Sequence, residues 1–579
     1  MAENFVLSFA PKSLAQIVEW IFRPNCAERS FRNTQSISES FALSFEPRSL
    51  AQIVEWIFWS NCAERSFRHT QSMAENFVLS FESKTPIYLL VQPEKGSCNG
   101  RRIGYNVICE NMRMKFKENA MSTLKENKMG VMPVGKLLVN MALPMIISML
   151  VQALYNVVDS IYVSQISESA VTALSLAFPV QNMQIGFAVG IGVGINSMLS
   201  KSLGEGNQEA ANRAAGNGMI LMFIVTAAFM LFGMFGVRPY YEMQSSVTET
   251  VEGGIAYTRI CCLFILGSFM QIYTERLLQS TGRTMLTMVT QATGAIINIL
   301  LDPVFIFGWF GLPAMGIAGA AIATVIGQWS GALLGLYLNE KHNPEVQFGR
   351  RYAKLDKKIV GAILTVGIPS IVMNAVGSVM NFGMNQILQG FNETATSVFG
   401  IYFKLQSFFF MPLFGLNGAT ISIIAFNYGA RKPERIVKTL KLAVSAALTL
   451  MICGLLAFQL VPDLLLSMFN PSDTFLEIGR ACLRTISWSF PMAAVCIVLG
   501  ASFQALGNGI YTTLTSLARQ MLVLLPVAYF MSLTGDVNKV WMAYPIAEVV
   551  SGIATFYFFL RIYRQKIKPL FASVKAETL

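Results

Sequence analysis

The feature that most constrains this fold is a succession of long apolar segments that begins near Val134 and continues almost to the end of the chain. Inside a bilayer every backbone N–H and C=O needs a partner, so apolar segments of about 20 residues are read as transmembrane helices. Only 13% of the residues are charged, against about 25% in soluble domains. The sequence therefore predicts an all-α polytopic membrane protein. Twelve spans are predicted, with approximate boundaries at 138–163, 170–200, 214–237, 253–275, 287–308, 314–338, 359–388, 396–427, 438–460, 476–500, 510–532 and 540–562.

The basic residues predict how the chain is oriented in the membrane. Loops after even-numbered spans carry Lys and Arg, for example Arg431, Lys432 and Arg435, whereas the loops after the first, fifth, seventh and ninth spans carry none. Basic loops stay in the cytoplasm, so both termini are expected there, in a multi-pass protein of the cell inner or plasma membrane. The net charge of +11 is dispersed among these loops. Membrane lipids are therefore the expected partners, and nucleic acid is not.

The second half of the membrane region repeats the first without a gap, at the constant offset that separates Pro144 from Pro369. The matched pairs are Pro144 and Pro369, Asn156 and Asn381, Gln181 and Gln406, Gly190 and Gly415, Gly204 and Gly429, and Gln279 and Gln504. Six spans per half is an even number, so both halves enter the membrane in the same sense. This predicts two six-helix lobes in a parallel repeat, a transporter architecture. The lobes are placed at 129–345 and 359–566, with a basic cytoplasmic linker at 346–358 and a cytoplasmic tail at 567–579.

The segment 1–128 has a different character. The stretch from Ser13 to Phe22 recurs almost unchanged from Ser49 to Phe58, and no stretch is long and apolar enough to span a membrane. Near-identical copies suggest a recent duplication. The segment is therefore predicted to be a disordered leader or to precede the native start, for which the candidates are Met112, Met114 and Met121.

Polar side chains within the fifth apolar segment predict an ion site. Asn298 and Asp302 are four residues apart, so on a helix they lie on the same face. Pro303 cannot donate to the carbonyl of Ile299 and leaves a free acceptor beside them. A bare carboxylate near the middle of the membrane costs roughly 2.5–3.5 kcal/mol on insertion scales, which a bound ion or proton could offset. The alternative is an Asp-Pro pair at a helix end among lipid headgroups.

Asp159, late in the first span, is expected at a similar depth to Asp302. Two carboxylates facing one cavity of low dielectric are expected to share a proton or a cation. Asp159, Asn298 and Asp302 would be the ligands if the ion is Na⁺, with Thr324 as a further neutral ligand. The repeat partners of the three are Met384, Val523 and Val527. The site is therefore expected in the N-terminal half alone.

Four residues are predicted to contact a transported substrate. Lys404 lies within the eighth span, where its repeat partner is Pro179; the alternative is a lysine that reaches the headgroups. Gln181, Gln406 and Asn156 complete this set. Glu548 is a weaker candidate for a functional acid. No other chemistry is indicated: nucleophile–base pairs, metal-ligand spacings and ATP-binding motifs are absent from the sequence. An enzyme or a cofactor other than H⁺ or Na⁺ is not expected.

Together these residues resemble one known family, the multidrug and toxic compound extrusion (MATE) transporters, over about 129–570. The resemblance is carried by Pro144 through Asp159, Leu203-Gly-Glu-Gly206, Gln279-Ser-Thr-Gly-Arg283 and Asn298-x-x-x-Asp302-Pro303. It implies a twelve-helix, two-lobed fold that expels organic, often cationic, compounds in exchange for H⁺ or Na⁺; a monomer is expected. The DinF-like prokaryotic branch implies the same roles for Asp159, Asn298 and Asp302, with Thr324 on the sixth helix. The acid that the NorM-like branch has on its seventh helix is missing from 369–390.

Two other transporter classes stay open from the sequence. A flippase for lipid-linked saccharides or lipids would share the architecture, but several basic residues would be expected in its central groove, and Lys404 is the one strong candidate. A major-facilitator carrier also has six plus six spans. It needs a basic GxxxD-type loop after the second span, where this chain has Lys201-Ser-Leu-Gly-Glu-Gly206.

Overall fold

The computed structural model describes residues 127–347, 352, 354–467, 469 and 473–577. Except for residues 127 and 128, the predicted leader lies outside the described residues. Ten helices of this region are long and apolar enough to cross a membrane, and two bent helix pairs raise the number to twelve when each pair is one span. The predicted all-α fold with twelve spans is confirmed.

The first six spans form the N-lobe. Their bounds are α1 Val134–Ser164, α2 Glu168–Gly204, α3 Gln208–Phe235, α4 Thr248–Leu263 with Leu266–Ser280, α5 Thr284–Phe307 and α6 Gly316–His342. The next six form the C-lobe. Their bounds are α7 Lys357–Gln389, α8 Glu393–Gly429, α9 Pro433–Leu460, α10 Asp473–Ser487 with Phe490–Ala505, α11 Gly509–Ser532 and α12 Ala543–Ile562.

The helix ends reproduce the sequence repeat. Both ends of α8 follow those of α2 by the same offset that separates Pro369 from Pro144, and the same holds for α9 and α3. Even the short helix that follows each of these, Val237–Glu242 and Pro462–Ser467, recurs at this offset. The two lobes are therefore copies of one six-helix unit, as the sequence predicts.

The fourth and tenth spans are bent, which the sequence analysis missed by placing one straight span at each position. The two parts of α4 meet at 45° and those of α10 at 47°. In α10, Pro491 stands in the first turn after the break, where its missing N–H is tolerated. The equivalent residue in α4 is Leu266. Packing within the repeated unit, more than local sequence, therefore sets the bend.

The lobes meet through α1 and α2 on one side and α7 and α8 on the other. Glycines bring the backbones together: a Cβ atom at Gly204 would overlap the carbonyl oxygen of Phe426, and one at Gly429 would overlap that of Lys201. Gly204 and Gly429 are repeat partners, so the contact is nearly symmetric. We call this end of the lobe contact the seam.

Hydrogen bonds between the lobes accompany the glycine contacts. The Ser422 hydroxyl donates to Asn196 Oδ1 at 3.0 Å, and the Ser197 hydroxyl donates to the carbonyl of Gln504 at 2.9 Å. The segment before α1 adds a further link, because Arg435 Nη2 donates to the carbonyls of Met129 at 2.9 Å and Met132 at 2.7 Å. Each of these bonds lies at the end of the molecule where α2 and α8 finish.

Toward the other end the same helix faces lose their partners. On α8, Gly415, Gly418 and Ser422 contact the N-lobe, and steps of three or four residues toward the start of α8 keep to that face. These steps reach Phe408 and Lys404, which are exposed. From the exposure of these two residues we infer that the lobe contact stops short of this end and leaves an interlobe cleft. Among the residues on its walls are Pro179 and Met183 of α2, Phe382 of α7, and Gly400, Lys404 and Phe408 of α8.

Candidate functional site

The predicted acidic site lies inside the N-lobe, between α1, α5 and α6. Gln291 Nε2 of α5 donates to Gln152 Oε1 of α1 at 2.8 Å, which fixes how the two helices align. Two turns further along each helix, on the same faces, stand Asp159 and Asn298. The two carboxylates, Asp159 and Asp302, are close enough to interact electrostatically. The first and fifth spans therefore bring their acids together, as the sequence analysis expects.

A pair of glycines brings α6 to this site. A Cβ atom at Gly327 of α6 would lie 2.6 Å from the carbonyl oxygen of Gly294 in α5, so only glycine permits this approach. Thr324, one turn before Gly327, then reaches Asn298: the Nδ2 atom of Asn298 lies 3.3 Å from Thr324 Oγ1 and 3.3 Å from Asp302 Oδ1. All four residues predicted to bind the ion belong to this one region.

Asp302 is not at the exposed end of a helix. It is fully buried, and α5 continues beyond Pro303 to Phe307. The helix then ends at Gly308, whose φ of 75° is the left-handed conformation that favours glycine. The headgroup interpretation of the Asp-Pro pair needs an exposed acid, and this carboxylate is enclosed.

Three oxygen atoms of the site have no hydrogen-bond donor among the described residues. They are Asp159 Oδ1, Asn298 Oδ1 and Asp302 Oδ2, and each atom is buried. A buried acceptor without a partner costs about 1–3 kcal/mol, and more when it is charged. Carboxylate and amide oxygens are hard ligands, which suit a proton or an alkali cation better than a soft metal. The donor set therefore fits the proposed coupling ions.

Tyr155, Tyr257 and Cys261 also belong to the site, and the sequence analysis missed them. All three interact electrostatically with Asp159, and the Tyr257 hydroxyl accepts a hydrogen bond from Gln181 Nε2 at 2.9 Å. Tyr155 could have been found, because it stands one turn before Asp159 on the same helix. The fourth span gives no such signal, since Tyr257 and Cys261 come near the acid only through the tertiary fold.

The four predicted substrate ligands are not brought together. Lys404 is exposed on the cleft face of α8, whereas Gln406, two residues further on, faces the opposite way and is half-buried. Gln181 similarly faces the interior of the N-lobe, where it bonds Tyr257. Asn156 lies on α1, and its side chain is outside the described part of the structure. Among the three members of this set whose side chains the structure describes, Lys404 is the one on the wall of the cleft.

Glu548 is enclosed in the C-lobe and has a cationic partner. Its Oε2 atom lies 3.4 Å from Arg519 Nη1, and the carboxylate side chain is only 8% exposed. Arg519 stands in a π-helical turn, Ala518–Leu524, within α11. The repeat partners of Arg519 and Glu548 are Gly294 and Ala323, beside the N-lobe site. Beside the positions that correspond to the N-lobe site, the C-lobe therefore holds an ion pair, whereas the N-lobe site has oxygen atoms without hydrogen-bond donors among the described residues.

Comparison with known proteins identifies the family. The sequence profile of the MatE family matches residues 144–304 and 369–530, more than half of the chain. The chain is 26% identical to the FAD transporter of Shewanella oneidensis, over 74% of this chain and 95% of that protein. It is also 26% identical to the probable multidrug resistance protein YoeA of Bacillus subtilis, over 73% and 93%.

Solved structures agree with the sequence matches. An outward-facing multidrug resistance MATE transporter of the MOP superfamily superposes with a TM-score of 0.72 at 25% identity, covering 77% of this chain and 99% of that one. A MATE structure in a straight conformation gives the same values. The fold, the repeat and the family profile lead to one conclusion: this chain belongs to the MatE family, the multidrug and toxic compound extrusion transporters.

Proposed function

We propose that this chain is a secondary active efflux transporter that exchanges small organic compounds for H⁺ or Na⁺. The observation that carries the proposal is the set of three buried, unpartnered oxygen atoms of Asp159, Asn298 and Asp302. Two carboxylates that each keep an oxygen atom without a donor bind a cation or proton to relieve their mutual repulsion. An imposed ion gradient then changes how often the site is occupied.

One helix connects the ion site to the contact between the lobes. On one side α1 carries Asp159 toward α5, and on another it presses Met145 and Ile146 against Gly415 of α8. When a change in the charge of Asp159 moves α1, the contact between α1 and α8 therefore changes as well. The ion and the substrate need no direct contact, only different affinities for two lobe arrangements. A coupling of about 1–3 kcal/mol is enough, equivalent to about 5–150-fold in affinity.

The proposed orientation places the seam at the cytoplasmic side of the inner or plasma membrane. Lys201, Lys432 and Arg435 lie at that end, and Lys and Arg are retained in the cytoplasm. Both termini are then cytoplasmic, and the cleft of this arrangement opens to the outside. It corresponds to the state in which substrate is released and the coupling ion enters.

The substrate class follows from the relatives only in outline. Their names describe multidrug resistance and FAD transport, which supports small organic compounds as cargo. The preference for cations rests on the family resemblance alone, and the charge of the cleft tests it below; a monomeric state and the absence of a nucleic-acid partner also remain predictions. The flippase alternative is weaker, because the described cleft face of α8 between residues 397 and 415 carries one basic residue, Lys404.

Transport by purified protein in liposomes tests the proposal. Efflux of a fluorescent dye such as ethidium is measured with a pH gradient, a sodium gradient, both or neither. We expect at least one gradient to drive efflux and its collapse by an ionophore to stop it. Dye movement that ignores both gradients would rule out exchange, and ATP-dependent movement would point to a different class of pump.

A further inference from the structure

The charge on the C-lobe wall of the cleft points to a substrate class. We propose that Lys404 binds an anionic group, such as a phosphate or carboxylate, on a flat aromatic substrate. The inference rests on the proposed function, because it concerns what the cleft carries.

The position of Lys404 makes it available to a ligand in the cleft. It lies on the face of α8 that continues outward from Gly415 and Gly418, which contact the N-lobe. The side chain is exposed, and no carboxylate of the described chain lies within 4.0 Å of its ammonium. Glu393, the other charged residue on the outer part of this face, lies about three turns earlier, roughly 16 Å along the helix. At that distance, water and salt screen most of its attraction.

Lys404 is surrounded by space and aromatic surface. A Cβ atom added at Gly400, one turn before it, would meet nothing within 4 Å, so a ligand can approach the backbone there. Phe408, one turn after it, is 56% exposed, and Phe382 on the α7 wall is 66% exposed. Aromatic rings pack favourably against a flat conjugated ligand. The wall thus combines one cation with apolar faces.

The acids of the N-lobe do not cancel this charge. Asp302 is fully buried, and Asp159 stands on the face of α1 that Gln152 turns toward α5. The repeat equivalent of Lys404 on the opposite wall is Pro179, which has no charge. An anionic group is therefore attracted to the C-lobe wall, and the coupling ion binds in a separate compartment of the N-lobe.

Two pairs of matched aromatic compounds test the inference in detergent-solubilised, full-length protein. Riboflavin and riboflavin 5′-phosphate differ by one phosphate, and rhodamine 6G and fluorescein share a ring system but have opposite charges. We expect wild-type protein to bind the anionic member of each pair about tenfold or more tightly, the scale of a hydrogen bond to a charged group. Lys404→Gln should remove the difference, Lys404→Arg should keep it, and Lys404→Glu should reverse it.

Lys441→Gln is the matched control, because it removes an exposed lysine of the same lobe on α9, outside the cleft. It should behave like wild type. Equal affinity within each pair, a preference that survives Lys404→Gln, or binding of neither pair by protein active in ethidium efflux would overturn the inference. Loss of gradient-driven efflux with an intact, Lys404-dependent preference would instead refute the proposed exchange mechanism and leave the anion site standing.

Discussion

At the scale of single residues, the ion site is defined by oxygen atoms that lack hydrogen-bond donors among the described residues. Asn298 uses its amide nitrogen on Thr324 and Asp302, and this orientation turns its carbonyl oxygen away from both. Asp159 and Asp302 each keep one buried oxygen atom without a partner among the described residues. A purely structural acid would be expected to pair with a cation, as Glu548 does with Arg519. The contrast between the two lobes supports a functional role for the unpaired acids.

Neutralising either acid should uncouple transport. We expect Asp159→Asn and Asp302→Asn each to abolish gradient-driven efflux, because an amide at either position removes the negative charge that attracts the ion. The double variant should be little worse than either single variant, since both changes disable one unit. Efflux rates in liposomes under an imposed gradient measure this.

All three variants should still reach the membrane, because an amide is cheaper to bury than a charge. Asp463→Asn is the control: it removes an exposed carboxylate that pairs with Arg480 on the surface, and efflux should be unchanged. Wild-type rates for Asp302→Asn would contradict the assignment of the coupling site.

At the scale of helices, the approach of α5 and α6 sets the geometry of the site. Gly327 lies against Gly294. A Cβ atom added at Gly327 would stand 3.1 Å from the Cβ atom of Asn298. Any side chain at this position must separate the two helices or turn Asn298. The hydrogen bond to Thr324 is then lost.

Gly327→Val should therefore impair ion coupling without touching an ion ligand. Overpacking of this kind typically costs about 1–3 kcal/mol, so we expect folded protein with a lower unfolding temperature and a weaker dependence of efflux on the gradient. Thermal unfolding in detergent and the efflux assay measure the two effects. Gly361→Val on α7 is the matched control, since an added Cβ there meets nothing within 4 Å. If both variants had the same unfolding temperature and the same gradient dependence of efflux, the α5–α6 contact would have no role in ion coupling.

Sequence patterns predict the helices themselves better than the contacts between helices. Residues that share a helix, such as Asn298 and Asp302, could be placed together by their spacing, and the direction of the spans located Asp159 at the same depth. Tyr257 and Arg519 could not be assigned, because their partners lie on other helices, far from them in the sequence. The bend in α4 was equally hidden, since Leu266 is a residue that fits a straight helix.

At the scale of the whole molecule, the repeated six-helix units account for the transporter without the leader. Deleting residues 1–111 should leave membrane insertion and efflux intact, because every helix of both lobes and the linking segment from residue 127 is retained. Expression level in membranes and efflux in liposomes measure this. An inactive or degraded truncated protein, beside an active full-length chain, would assign the leader a function.

The seam has a consequence for leakage. Gly204 and Gly429 place backbone against backbone at two equivalent points, so no side chain there can swing aside and admit a file of water molecules. Protons cross membranes along such files of water. A proton could therefore pass the seam only if the two lobes moved apart. A cell that contains much of this protein but none of its substrate should therefore keep the proton gradient across its membrane.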